Sequence, residues 1–283
     1  MPIRRTELPA GYSILEIDHP AVSARVALHG AHLMEWTPAG QAPGLYLSPQ
    51  TVYQPGKAIR GGVPVCWPWF GPSPVDSTLP MHGFARTRFW EPGDFSEEAE
   101  GVSLKFTLTD DGETRRLWPH AFHLELSMHL GASLRLALQI SNTGTDPFTM
   151  TGALHTYLSI GDIHQATVTG LDGVDYLDTA GPHAMRRQEG PVIFDREVDR
   201  GYHTANPIAL HDSARQRILT ITGTGSRSAI VWNPWIGKSK ALTDLPDEDY
   251  QRFVCVETAN AREDSITLQP GGTHVLSTVI GIS

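Results

Sequence analysis

Glu257 closes the apolar run Phe253-Val254-Cys255-Val256, and a carboxylate in that setting is costly unless it is paired or used. The competing reading is a solvent-facing Glu at the end of a strand. His155 stands in Gly152-Ala153-Leu154-His155-Thr156-Tyr157-Leu158, a polar residue in a strand-like segment. It reads either as an acid–base group or as a hydrogen-bonded core histidine. Arg60 follows Ala58-Ile59 and precedes Gly61-Gly62, whose missing side chains let a ligand approach the backbone. Arg86 comes four residues after His82 in His82-Gly83-Phe84-Ala85-Arg86. Each arginine suits either an anion clamp, through its bidentate fork, or a structural salt bridge. Asp199-Arg200 is a weaker signal, because Asp-Arg pairs are common on loops. These residue types serve proton transfer and the holding of a small anion. The 13 histidines form no HExxH and no paired Cys/His cluster of zinc spacing. A P-loop, a dinucleotide glycine fingerprint and a GxSxG elbow are also missing, so neither a metal nor a cofactor is expected.

The elements that must position these groups are strands. Leu104, Phe106 and Leu108 alternate with Ser103, Lys105 and Thr107, and Leu134, Leu136, Leu138 and Ile140 repeat the rhythm before Asn142-Thr143-Gly144. Period two means half-buried strands. The same alternation runs through His123 to Leu130, Ile218 to Thr222, Ser228 to Trp232 and Ile266 to Ile280, and no long helical period interrupts it. Many short strands joined by Gly, Pro, Asn and Asp clusters predict an all-β sandwich or barrel of antiparallel sheets. Asp111-Gly112 and Pro270 to Gly272 read as hairpin turns. Residues 61–74 carry Trp67, Trp69 and Phe70 among four prolines and predict a stiff, partly buried loop.

With no internal repeat and no linker-like change of composition, residues 1–283 are expected to form one domain. The formal charge of -9 is spread without basic runs, which argues against nucleic acid and anionic membranes as partners. A small anion remains compatible, since two or three aimed cations suffice to hold it. No apolar h-region follows the N-terminal arginines and no segment reaches a membrane-spanning length, so with Cys66 and Cys255 as the two cysteines a reduced, cytoplasmic setting is expected. Lys240 and the acidic stretch from Asp244 to Asp249 read as solvated surface.

Taken in order, the segments resemble the aldose 1-epimerase superfamily, and within it the hexose-6-phosphate mutarotase branch. The resemblance is carried by Gly30-Ala31-His32-Leu33, Ser48-Pro49, Ile59-Arg60-Gly61-Gly62-Val63-Pro64, Cys66-Trp67-Pro68-Trp69-Phe70-Gly71 and His82-Gly83-Phe84-Ala85-Arg86. It continues through Leu154-His155-Thr156-Tyr157, Glu197-Val198-Asp199-Arg200, Trp232-Asn233-Pro234-Trp235 and Cys255-Val256-Glu257-Thr258-Ala259-Asn260. Each motif alone is weak, but the ordered set is specific. The sequence departs from the pattern at Thr258, where a proline is frequent, and at Gly201, where a bulkier residue is usual.

The resemblance implies an antiparallel β-supersandwich whose concave sheet face holds a sugar. It implies Glu257 as general base on the anomeric hydroxyl and His155 as general acid on the ring oxygen. His82 and Asp199 would bind sugar hydroxyls, and Arg60 and Arg86 a phosphate. Opening a cyclic hemiacetal takes one proton from the anomeric hydroxyl while another reaches the ring oxygen, which suits a carboxylate and an imidazole at ordinary pKa values. The expected partner is a small sugar phosphate, glucose 6-phosphate foremost, and the expected state is a monomer. Two alternatives stay open: a mutarotase for free aldoses, and a non-catalytic protein that binds sugar phosphates.

Overall fold

Alternating apolar residues form one half-buried sheet. In the computed structural model, which describes residues 2–8 and 11–283, Gly101–Thr109, Phe122–Gly131 and Leu134–Asn142 lie side by side. Leu104, Phe106, Leu124, Leu126, Leu136 and Leu138 turn inward, while their sequence neighbours are partly or fully exposed. Each such leucine contributes roughly 1.5–3 kcal/mol by leaving water. Nine strands make up this sheet, in the order Val192–Ile193, Ala166–Thr169, Ile208–Asp212, Arg217–Thr224, Thr273–Ile282, Leu134–Asn142, Phe122–Gly131, Gly101–Thr109, Glu91–Glu98.

A second sheet of eight strands carries the chemistry. It runs Ala184–Arg187, Asp175–Asp178, Val198–His203, Ser228–Asn233, Phe253–Asn260, Gly152–Leu154, Val65–Cys66, with Tyr157–Ser159 also paired to Phe253–Asn260. Every named pairing in both sheets is antiparallel, so the architecture is the expected all-β supersandwich. Here the half-buried expectation for Ser228 to Trp232 gives way: every residue of Ser228–Asn233 and of Phe253–Asn260 is buried. Central strands covered on both faces lose the polar alternation of a one-sided sheet. Val231, Val254 and Val256 face the main core. Tyr157, Ile230, Trp232 and Cys255 line the other face with a second apolar cluster. A four-stranded sheet, Ile3–Leu8 to His32–Pro38, and the pair Phe148–Met150 with Ile266–Leu268 complete the strands.

Asp111-Gly112 lies, as expected, in the connection between the paired antiparallel strands Gly101–Thr109 and Phe122–Gly131, though that connection is longer than a tight turn, whereas the hairpin expectation for Pro270 to Gly272 fails. The Asp111 carboxylate accepts from the backbone N–H groups of Glu113 and Thr114 at 2.8 and 2.7 Å, starting the helical turn Thr114–Leu117 inside a longer connection. Residues 270–272 pass the chain from one sheet to another, because Ile266–Leu268 pairs with Phe148–Met150 and Thr273–Ile282 pairs elsewhere. The loop at residues 61–74 is packed as expected: Trp67 is fully buried, edge-on to Trp118 and Phe122 at 5.0 and 4.6 Å. Among the described residues no helix is long and apolar enough to cross a membrane. Both cysteines are free and buried.

Candidate active site

Strand register places the site on the outer face of the eight-stranded sheet. Directly paired residues of antiparallel strands point to the same side. Asp199 pairs with Trp232, Trp232 with Cys255, and Cys255 with Tyr157, giving one row across four strands. Glu257 lies two residues beyond Cys255 and so shares that face, paired with Ile230. It sits mid-strand and is 1% exposed, which removes the solvent-facing reading.

His155 occupies the break between Gly152–Leu154 and Tyr157–Ser159, where its backbone N–H donates to the Pro64 carbonyl at 3.1 Å. Its ring stacks on Tyr157, with centroids 4.8 Å apart and planes 7° from parallel, and meets Trp232 edge-on at 5.9 Å. Nδ1 of His155 lies 3.3 Å from Oε1 of Glu257. The contact lacks hydrogen-bond geometry, and both Nδ1 and the second carboxyl oxygen, Oε2, are buried without a partner. Unpaired polar atoms at this depth are expensive. Burial, reinforced by Asp199 and opposed by Arg86, raises the Glu257 pKa well above the carboxylate range. Burial first, then the neighbouring His82, Arg86 and Arg60, drives His155 well below the imidazole range. These directions oppose the solution values on which the sequence reasoning rests: burial favours the neutral form of both groups.

His82 adopts a left-handed backbone, φ 63°, and its Nδ1 accepts from the Gly71 N–H at 3.2 Å. Burial and the two arginines hold its pKa at about 3, so the ring is neutral and Nε2 carries the hydrogen. Its ring centroid is 5.8 Å from that of His155. Arg86 donates from Nη2 to the Met81 carbonyl at 2.7 Å and leaves its buried Nε unpartnered. Its charge acts on His82, His155 and Glu257 alike. Arg60 joins the same field, yet it is also paired: Nε with Asp244 at 3.1 Å and Nη1 donating to the Tyr157 hydroxyl at 3.1 Å. The salt-bridge and ligand readings of Arg60 thus coexist. Asp199 acts on Glu257 from the neighbouring row and takes Lys238 Nζ at 3.6 Å.

The glycines beside these residues do something other than admit a ligand. Gly61 and Gly62 have φ of 107° and 60°, and a Cβ at either would lie within 2.4 Å of the Tyr46 or Leu33 carbonyl oxygen. They let the chain behind Arg60 pass close to its own neighbours. Sequence reasoning missed Tyr157, Asp244 and Lys238. Tyr157 was legible as the partner two residues beyond His155 on a strand. Lys238, exposed like Lys240, differs from it in lying over the Trp232 ring at 5.9 Å and bonding Glu197 at 2.9 Å. The acidic stretch is correspondingly less solvated than expected, since Asp244 holds Arg60 and Asp249 accepts from the Tyr46 hydroxyl at 2.6 Å.

Donor atoms of His155, Cys255 and Glu257 lie within 4.8 Å of one another, a group compact enough for a cation. Burial pushes both the Cys255 thiol and the Glu257 carboxyl well above their usual values, so ligation by either is opposed by the cost of removing its proton. Proton transfer within the pair needs no such loss.

Comparison with known proteins finds relatives along nearly the whole chain. An Escherichia coli protein named "Putative glucose-6-phosphate 1-epimerase" is 38% identical over 94% of this chain and 89% of its own length. A Salmonella typhimurium protein of the same name is 38% identical over 88% of this chain and 83% of its own. The crystal structure of a "putative mutarotase" from Salmonella typhimurium superposes with a TM-score of 0.93 at 34% identity, covering 99% of this chain and 93% of that one. The Aldose 1-epimerase family model matches residues 13–281, and the chain belongs to that family.

Proposed function

We propose that the protein interconverts the α and β anomers of a hexose 6-phosphate, glucose 6-phosphate foremost, without a cofactor. The carrying observation is the pair of guanidiniums beside the two imidazoles: Arg60 and Arg86 both act on His82 and His155, and the buried Arg86 Nε lacks an acceptor. A phosphate oxygen supplies that acceptor through a charge-assisted bond. The names of the two relatives support the same substrate class.

In this reading a single proton serves the pair. Its passage from Glu257 to His155 across the 3.3 Å contact leaves a carboxylate and an imidazolium. Glu257 then takes the anomeric hydroxyl proton while His155 protonates the ring oxygen, and the C1–O5 bond breaks to give the open aldehyde. Rotation about C1–C2 presents the other carbonyl face. His155 withdraws the proton from O5 as O5 re-attacks C1, and Glu257 returns its proton to O1. The neutral His82 donates from Nε2 to a sugar oxygen, and Asp199 accepts from a hydroxyl.

Arg86→Ala tests the clamp. By NMR exchange spectroscopy its kcat/KM should fall on glucose 6-phosphate at least about tenfold more than on free glucose. An equal fall on both sugars would discard the phosphate role.

A further inference from the structure

The row that contains Glu257 does not end at the catalytic pair. Glu257 pairs with Ile230, Ile230 with Gly201, Gly201 with Leu177, and Leu177 with Met185, so all five point to the same face. Beyond Ile230 the face opens into a recess of about 120 Å³, open to solvent, whose lining includes Leu177, Met185, Gly201, Ile230 and Arg262. Gly201 is two strand spacings from Glu257, about 10 Å.

Gly201 creates this space. Its backbone lies outside the left-handed region, so conformation does not demand glycine there, and an added Cβ would sit 3.3 Å from Nη1 of Arg262 and 3.4 Å from Cδ1 of Ile230. The guanidinium of Arg262 therefore lies over the vacated position. Arg262 itself takes φ 58°, a left-handed conformation that residues with a side chain adopt only under strain. The turn is pinned by Asp264, 2% exposed, which accepts from Arg227 N at 2.8 Å and Asn260 Nδ2 at 2.9 Å, and by Ser228, whose Oγ accepts from Ala261 N at 3.0 Å. These bonds leave the Arg262 guanidinium with no hydrogen bond or ion pair among the described residues. Asp199 is close enough for its charge to act on it. A held but unpaired donor fork and apolar walls thus share one recess, with the Asp199 carboxylate beside it, two residues from Gly201 on the same face of the strand.

We infer that this recess is a subsite for an acylamino group on the sugar carbon next to the anomeric carbon, so that 2-acylamino hexose 6-phosphates are substrates. The amide matches each wall: its carbonyl oxygen accepts from Arg262, its N–H donates to Asp199, and its methyl packs on Ile230, Leu177 and Met185. C2 is the attachment point, because it stands across the six-membered ring from C5, which carries the phosphate arm, so its substituent points away from the arginine end and toward the recess. The inference rests on the acid–base reading of Glu257 and His155.

The test compares anomer exchange of N-acetylglucosamine 6-phosphate and glucose 6-phosphate, with saturation transfer from the protein to the acetyl methyl protons. Wild type should accelerate both sugars. In Arg262→Ala the ratio of kcat/KM for the acetylated sugar to that for glucose 6-phosphate should drop about tenfold, chiefly through KM, since a donor to the carbonyl is lost. Gly201→Val, which fills the recess and leaves the guanidinium in the protein, should lower the ratio in the same direction. Acceleration of glucose 6-phosphate alone, or an unchanged ratio in both variants, overturns the subsite. If neither sugar phosphate is accelerated, the catalytic reading fails. Saturation of the methyl that disappears in Arg262→Ala then still supports the subsite, and no saturation rejects it.

Discussion

A carboxyl at position 257 has its proton affinity fixed by what surrounds it: burial among apolar strand neighbours and the Asp199 charge raise it, and the Arg86 charge opposes them. Because Glu257 is shifted up and His155 down, the pair passes through three states as pH rises. Both are protonated in acid, one proton is shared in the middle, and none remains in alkali. Only the singly protonated pair can give and take a proton, so activity against pH should be bell-shaped. The acid side should fall below the ordinary imidazole value of 6.5, and the alkaline side above the ordinary carboxylate value of 4.5. Exchange rates from about pH 4 to about pH 9 would check this, and a flat profile would reject the pair. Glu257→Gln keeps the shape and removes the titrating group; it should lower kcat by roughly 10²–10⁴-fold. A variant that retains most of its turnover would exclude Glu257 as the base.

Elements hold these residues by close backbone approach. Gly83, between His82 and the helical turn Ala85–Thr87, has φ 70°, and a Cβ there would fall 2.0 Å from the Trp67 carbonyl oxygen. Phe84 N donates to that same oxygen at 3.0 Å, so the stretch bearing His82 and Arg86 is fastened to the buried loop at residues 61–74. Gly83→Ala must displace one segment or the other. It should cost about 2–4 kcal/mol in urea unfolding. A loss below about 1 kcal/mol would mean that the two segments are not locked together. The same logic explains Gly61-Gly62: their form was visible in the sequence, but their purpose was not. Glycine marks a backbone needing space, and only the neighbouring strand tells whether ligand or protein fills it.

At the scale of the whole molecule, buried histidines couple stability to acid. His29, 1% exposed, accepts from the Gly56 N–H at Nε2 and therefore turns its Nδ1 hydrogen toward the Tyr12 hydroxyl. His32, fully buried, bonds the Gly61 carbonyl through Nε2 at 2.9 Å. Burial lowers their pKa values to about 4 and about 3 from 6.5. The unfolded chain binds these protons first, so the stabilisation is complete above pH 6.5 and is lost as pH falls from there through the folded values. At about pH 5 the two together should cost about 4 kcal/mol. Glu257 works in the opposite sense: its raised pKa favours the folded state below 4.5 and penalises it above. Urea midpoints at about pH 7.5 and about pH 5 should therefore be compared in Glu257→Gln, where that opposing contribution is absent. Equal midpoints would show that the histidines titrate freely.

The sequence by itself determined the strand-rich class, because period-two alternation is a property of consecutive residues and needs no partner. It also singled out six polar residues whose ordered motifs mark the family. Tertiary structure decided what each of them faces. Glu257 looked like the end of an apolar run and proved to be mid-strand, because the strands beside it bury both faces of Phe253–Asn260. Asp244 looked solvated and holds Arg60, a pairing across 184 residues that no local pattern encodes. The direction of the Glu257 and His155 pKa shifts also waited on the fold: it depends on desolvation and on charges from distant segments, and burial is created only when the sheets close over one another.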